Sequence, residues 1–133
     1  MRLVVLGVAA APILACTPSE AIRIELAPEI AHPDYDELVS FVRANDFVET
    51  KPEAYDTPLA QLPGSLRSSY MRSTRVAELR CAIDEVISPT PLEIICFEVH
   101  ASRRPRSMSP EGTATVEGLV DALKKQFGQQ VIR

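Results

Sequence analysis

The chain has 133 residues, of which 46% are hydrophobic and 5% aromatic with no tryptophan, and its net charge is −4. That length and apolar content fit one domain with one core; the acidic balance and the few rings count against generic nucleic-acid binding and stacking platforms, which need Lys/Arg and exposed aromatics. The charge is uneven, with 10 acids against 3 bases over residues 17–56 and 7 arginines against 5 acids over residues 57–106, a division that solvated faces of both signs explain as well as a partner-facing patch.

The chain opens MRLVVLGVAAAPILAC: Arg2 beside the amino terminus, an uncharged apolar stretch from Leu3 to Ala11, and Ile13, Leu14 and Ala15 ahead of Cys16. An apolar run of roughly ten residues has the length of a secretory signal's hydrophobic region and is too short for a spanning helix, which takes about 20. The Ile13–Cys16 quartet resembles the lipobox of bacterial lipoproteins, although Leu14 is bulkier than the usual small residue there and one arginine makes a thin positive region. The resemblance covers about sixteen residues and implies a processing class, not a domain family. It implies a signal peptide over residues 1–15, cleavage after Ala15, diacylglycerol on the Cys16 sulfur and a membrane anchor of two or three acyl chains. Physically, each buried methylene contributes roughly 0.8 kcal/mol, so several chains hold what one holds only marginally. Thr17 after the cysteine implies the outer membrane, facing the periplasm. The competing reading makes residues 3–8 a buried strand of a cytosolic α/β domain; a nucleotide-binding version would need a glycine-rich turn, and Gly7 is followed by VAAAP.

Residues 16–21 are expected as a lipidated tether, followed by a single domain over 22–133. Ile22, Ile24 and Leu26 alternate with Arg23 and Glu25 as in a half-buried strand. Tyr35, Leu38, Val39 and Val42 recur at helical spacing, with Asp34 and Glu37 placed as a capping box and Asn45 at the end. Residues 47–49 add a short extended piece, and residues 50–74, with three prolines and no sustained period, are expected as a long loop with a helical turn near Leu59–Leu62.

Two long strands then flank the turn SPTP. In the first, Ala77, Leu79, Cys81, Ile83 and Ile87 alternate against Glu78, Arg80 and Asp84. In the second, Ile95, Phe97, Val99 and Ala101 are expected on the core face, with Glu98 and His100 opposite. After the loop 101–109, Ser109 and Pro110 suit the cap and first position of a helix whose stripe is Val116, Leu119, Val120, Leu123 and Phe127, ended by Gly128, before a short last strand QQVIR. Strand, helix, strand, strand, helix, strand predicts an α+β, ferredoxin-like split βαβ fold: a four-stranded antiparallel sheet with two helices on one face.

Cys81 and Cys96 form an even pair, most simply a disulfide in an exported domain. The alternation, however, puts them on opposite faces, so they meet only if a bulge near SPTP shifts one strand; two independent thiols remain the other possibility. Cys96 and His100 are about 13 Å apart along a strand, and with His32 far off in sequence no metal site is expected. No GxSxG elbow or phosphate loop occurs, neither histidine has an acid partner evident in sequence, and adjacent Asp84 and Glu85 point to opposite faces, so neither an enzyme nor a cofactor is predicted. Arg103, Arg104 and Arg106 precede a helix start and form a candidate anion or partner patch, or else pair locally with Glu98 or Glu111. The expected role is a non-enzymatic interaction or structural accessory, with the membrane as partner, another envelope protein as a further candidate, and no nucleic acid. The rival is a periplasmic ligand-binding or catalytic domain using loops 50–74 and 101–109.

Overall fold

The computed structural model describes residues 16–27, 33–51, 65–87, 91–101, 107–128 and 131–132. The expected signal segment 1–15, the turn near Leu59–Leu62, His32 and Arg103, Arg104 and Arg106 lie outside those residues. Among the described residues the chain runs β1 (Cys16–Pro18), β2 (Ile22–Leu26), α1 (Tyr35–Ala44), β3 (Phe47–Glu49), β4 (Ser65–Ser73), β5 (Leu79–Val86), β6 (Leu92–Ala101), α2 (Pro110–Phe127) and β7 (Val131–Ile132). The strands form one antiparallel sheet in the order β3-β4-β5-β6-β2-β7, with β1 also paired to β6.

Both helices form where local signals place them. Asp34 accepts from the Glu37 amide at 2.9 Å and Glu37 accepts from the Asp34 amide at 3.1 Å, completing the capping box ahead of α1. Ser109 accepts from the Gly112 amide at 3.0 Å ahead of α2, and Gly128 ends that helix at φ 82°. Tyr35, Leu38 and Val42 of α1 and Val116, Leu119, Val120 and Leu123 of α2 share one buried cluster with Ile24, Leu79, Cys81, Ile83, Ile94 and Cys96. Phe41 and Phe127 meet edge to face at 5.5 Å between the helices.

Three expectations change. The sheet has more than four strands: β3 and β4 extend it beyond β5, so Ser65–Ser73, read as part of the loop, is a strand paired with β5 from Ser65↔Val86 to Arg72↔Arg80. SLRSSYMRS shows no apolar alternation because only Met71 brings a large apolar side chain to the core, and pairing with the neighbours supplies the rest. Second, the expected tether carries β1, with Cys16 opposite Ala101, Thr17 opposite His100 and Pro18 opposite Val99.

Third, the faces of β6 are exchanged relative to expectation. Leu92, Ile94, Cys96 and Glu98 share the helix-covered face, while Ile95 and Phe97 lie on the other. Every residue from Leu92 to Phe97 is buried, as is Glu98, so apolar periodicity along this strand has no amplitude from which to read a phase. In the true register, Leu79↔Glu98 through Glu85↔Leu92 pair without interruption and Cys81 stands directly across from Cys96. Their Cα atoms are 4.1 Å apart and the sulfurs are at bonding distance, with no bulge required.

A cross-link enclosing a loop of this length contributes about 3 kcal/mol in the chain-entropy account. Intact mass under non-reducing conditions should be 2 Da lower than after reduction and show no free thiol at either position (about 1 Da per lost hydrogen). The Cys81→Ala/Cys96→Ala variant should lose about 3 kcal/mol in urea unfolding.

Candidate functional site

Among the described residues, carboxylates are buried in two places, one on each face of the sheet. On the helix-covered face, β6 carries Glu98, only 1% exposed. Its carboxylate accepts from the Ser109 amide at 2.7 Å, from the Ser109 hydroxyl at 2.5 Å and from His100 Nε2 at 3.0 Å. These bonds tie β6 to the first turn of α2, whose amides favour a negative charge. Gly112 is required by this approach: a Cβ there would stand 2.8 Å from the Glu98 carboxyl carbon and 2.9 Å from Met108 Cγ, and closer still to Glu98 Oε2.

Glu98 is therefore the acid partner of His100 that sequence reasoning missed. The signal was available, since residues two apart on a strand share a face. The order of contacts is nevertheless wrong for nucleophilic catalysis. A serine nucleophile needs its hydroxyl on histidine and the histidine backed by the acid, whereas here the carboxylate lies between, taking the Ser109 proton donor directly.

The second place is the opposite face, where register aligns Ser68, Asp84, Glu93 and Glu25 in one row and Tyr70, Ala82, Ile95 and Arg23 in the next. Asp84 is fully buried and Glu93 is 3% exposed. Arg23 Nη2 bonds Glu93 at 2.8 Å, and this hydrogen bond raises the Arg23 pKa further above its ordinary value. Asp84 Oδ1 accepts from the Ser68 hydroxyl, while Oδ2 and the Tyr70 hydroxyl have no partner among the described residues. Burial pushes the Asp84 carboxyl above its ordinary range, with the Glu93 charge adding to the rise and the Ser68 bond opposing it. Asp84 and Glu85 do point to opposite faces; Glu85 pairs with Arg67 at 3.0 Å.

Other charged and thiol side chains are accounted for more simply. Arg67 stacks over the Tyr35 ring at 3.9 Å, and Arg75 pairs with Asp46 at 2.8 Å. Cys96 is engaged with Cys81. Among the described residues no cluster of His, Cys, Asp and Glu is arranged to hold a metal, and no helix is long and apolar enough to cross a membrane. Between the helices lies an open groove lined by Phe41 and Phe127, with Asp36 on one helix and Lys125 on the other. No protein-family model, curated protein or solved structure matches the chain.

Two consequences can be measured. Gly112→Ala should cost about 1–3 kcal/mol by overpacking against Glu98, whereas Gly118→Ala, with open space around it on the same helix, should gain about 0.5–1 kcal/mol; chemical unfolding of both reports the contrast. Because the native state holds the Asp84 proton more tightly than the unfolded chain, the stability this group contributes is complete below about pH 4 and is lost as pH rises through the raised pKa. Asp84→Asn should accordingly raise the melting temperature at pH 7 relative to the parent and lose that advantage toward pH 4, as followed by calorimetry across that range.

Proposed function

We propose that the protein is a small lipid-anchored protein of the bacterial envelope, attached through Cys16 to the outer membrane and facing the periplasm, where it serves as a non-enzymatic interaction or structural accessory. The observation that carries this reading is the short apolar run closed by Ile13, Leu14, Ala15 and Cys16 behind a single arginine. One feature of the fold supports it. The Cys81 and Cys96 sulfurs lie at bonding distance, a pairing suited to an oxidising compartment and uncommon in a reducing one.

The fold's finer assignment belongs to the same proposal. Within the sheet, β7-β2-β6-β5 with α1 and α2 on one face follows the ferredoxin-like split βαβ order, and β3 and β4 are an edge extension built from the segment between α1 and β5. A domain of this kind on acyl chains is confined to the bilayer surface, where its local concentration toward membrane partners, another envelope protein among them, is raised without any new contact. The rival ligand-binding reading finds its support in Asp84 Oδ2 and the Tyr70 hydroxyl, which have no partner among the described residues; the anchor reading is favoured because it also explains residues 1–16.

Intact-mass analysis of the protein extracted from native membranes tests the proposal. The expected mass is that of residues 16–133 plus acyl groups, and Cys16→Ser should stay unprocessed and carry no acyl mass. Recovery of the unmodified 133-residue chain from the cytosol would refute it.

A further inference from the structure

We propose that the end of the sheet where Cys16 pairs with Ala101 is the surface that faces the bilayer, and that the domain stands on the membrane without a flexible spacer. The inference rests on the lipid anchor at Cys16 proposed above and adds the orientation of the domain and the lipid surface as the partner of one particular end.

The backbone of Cys16 is itself part of the sheet, opposite Ala101, and the two residues after it are paired in turn with His100 and Val99. The next residue, Ser19, is only 5% exposed. Its amide donates to the Glu98 carbonyl at 2.6 Å and its hydroxyl accepts from the Glu98 amide at 2.8 Å. From Pro18 to Ile22 the chain takes four steps while β6 takes three, from Val99 to Cys96. Ser19 sits in this bulge, and its side chain satisfies a β6 amide that the extra residue would otherwise leave open.

Six free residues between an acyl group and the fold would let the domain wander about 20 Å from the headgroups. Residues 16–18 are committed to the sheet, and Ser19 is fixed in the bulge, so the tether length is close to zero. From this point the strands lead away. Nine steps separate Ala101 from Leu92, about 30 Å at 3.3 Å per residue, several times the Debye length of about 8 Å at physiological ionic strength. Glu78, whose carbonyl accepts from the Val99 amide at 2.9 Å, and Ser107, two residues before the α2 cap, are exposed at the near end. Leu66 and Ile87, 63% and 69% exposed, mark the far end beside the Ser65↔Val86 pair.

The test uses the acylated mature protein, residues 16–133, reconstituted into phosphatidylethanolamine–phosphatidylglycerol vesicles that carry a headgroup-attached nitroxide quencher. With Cys16 acylated and Cys81 bonded to Cys96, one added cysteine takes a fluorophore alone: Glu78→Cys or Ser107→Cys near the anchor, Leu66→Cys or Ile87→Cys far from it. Quenching should be several-fold stronger at the two near positions. Inserting a flexible Gly/Ser spacer of about 12 residues between Cys16 and Thr17, which leaves the Thr17 pairing intact, should abolish the difference. Equal quenching at both ends in protein whose mass shows the acyl groups would overturn the orientation alone. Absence of acyl mass on Cys16 would overturn the anchor, and the orientation with it.

Discussion

A carboxylate taken out of water must find donors, and the way Glu98 finds them organises much of the molecule. An unpaired charge in the interior costs several kcal/mol, which is of the order of a small domain's whole stability. Glu98 avoids that cost by drawing the cap of α2 onto β6: the Ser109 amide and hydroxyl and His100 all converge on it. Its backbone does the complementary job on the other side, exchanging hydrogen bonds with Ser19 across the bulge. One residue thereby fixes where the second helix starts, how closely it approaches the sheet, and where the amino-terminal strand is stitched on. Gly112 is the corollary, a position where helix propensity yields to the space the carboxylate occupies.

The opposite face solves the same electrostatic problem less completely. Arg23 neutralises Glu93, but Asp84 lies next to Glu93 in register with a single hydroxyl donor among the described residues. A raised proton affinity is the physical response, since a neutral carboxyl costs less to bury than a charged one. The contrast separates a polar joint that rigidifies the fold from a polar cluster that tolerates a price in stability. Among the described residues, it is the second that leaves buried polar atoms without partners.

What could be read from the sequence was whatever local chemistry dictates. Both helices announce themselves through caps and stripes: Asp34 with Glu37, Ser109 with Pro110, and Gly128 at the end. Ile22, Ile24 and Leu26 show a strand because the face carrying Arg23 and Glu25 is partly wet. Hidden were features decided by neighbours in space. β6 is buried on both faces, so IICF offers no phase, and choosing Phe97 as core-facing put Cys81 and Cys96 on opposite sides. β4 is polar and earns its strand geometry from pairing with β5. Residues 16–21 look like a linker because proline, glutamate and alanine are depleted in strands and no apolar alternation runs through them, yet the open side of β6 captures residues 16–18. The Glu98–His100 contact was within reach by strand spacing alone; that Ser109 joins it depends on how α2 docks.

The seam between β1, β2 and β6 also has a mechanical consequence. Its hydrogen bonds lie across the strand direction, and the chain leaves Cys16 along that direction. Tension applied at this residue, by drag or by a partner pulling on the domain, loads the bonds of the seam side by side in shear, so they cannot open one after another like a zipper. Behind the seam, Cys96 bonds to a residue of the next strand and spreads the load into the sheet's centre. Under the anchoring proposed at Cys16, a small globule hung by its first described sheet residue would resist being peeled from its support.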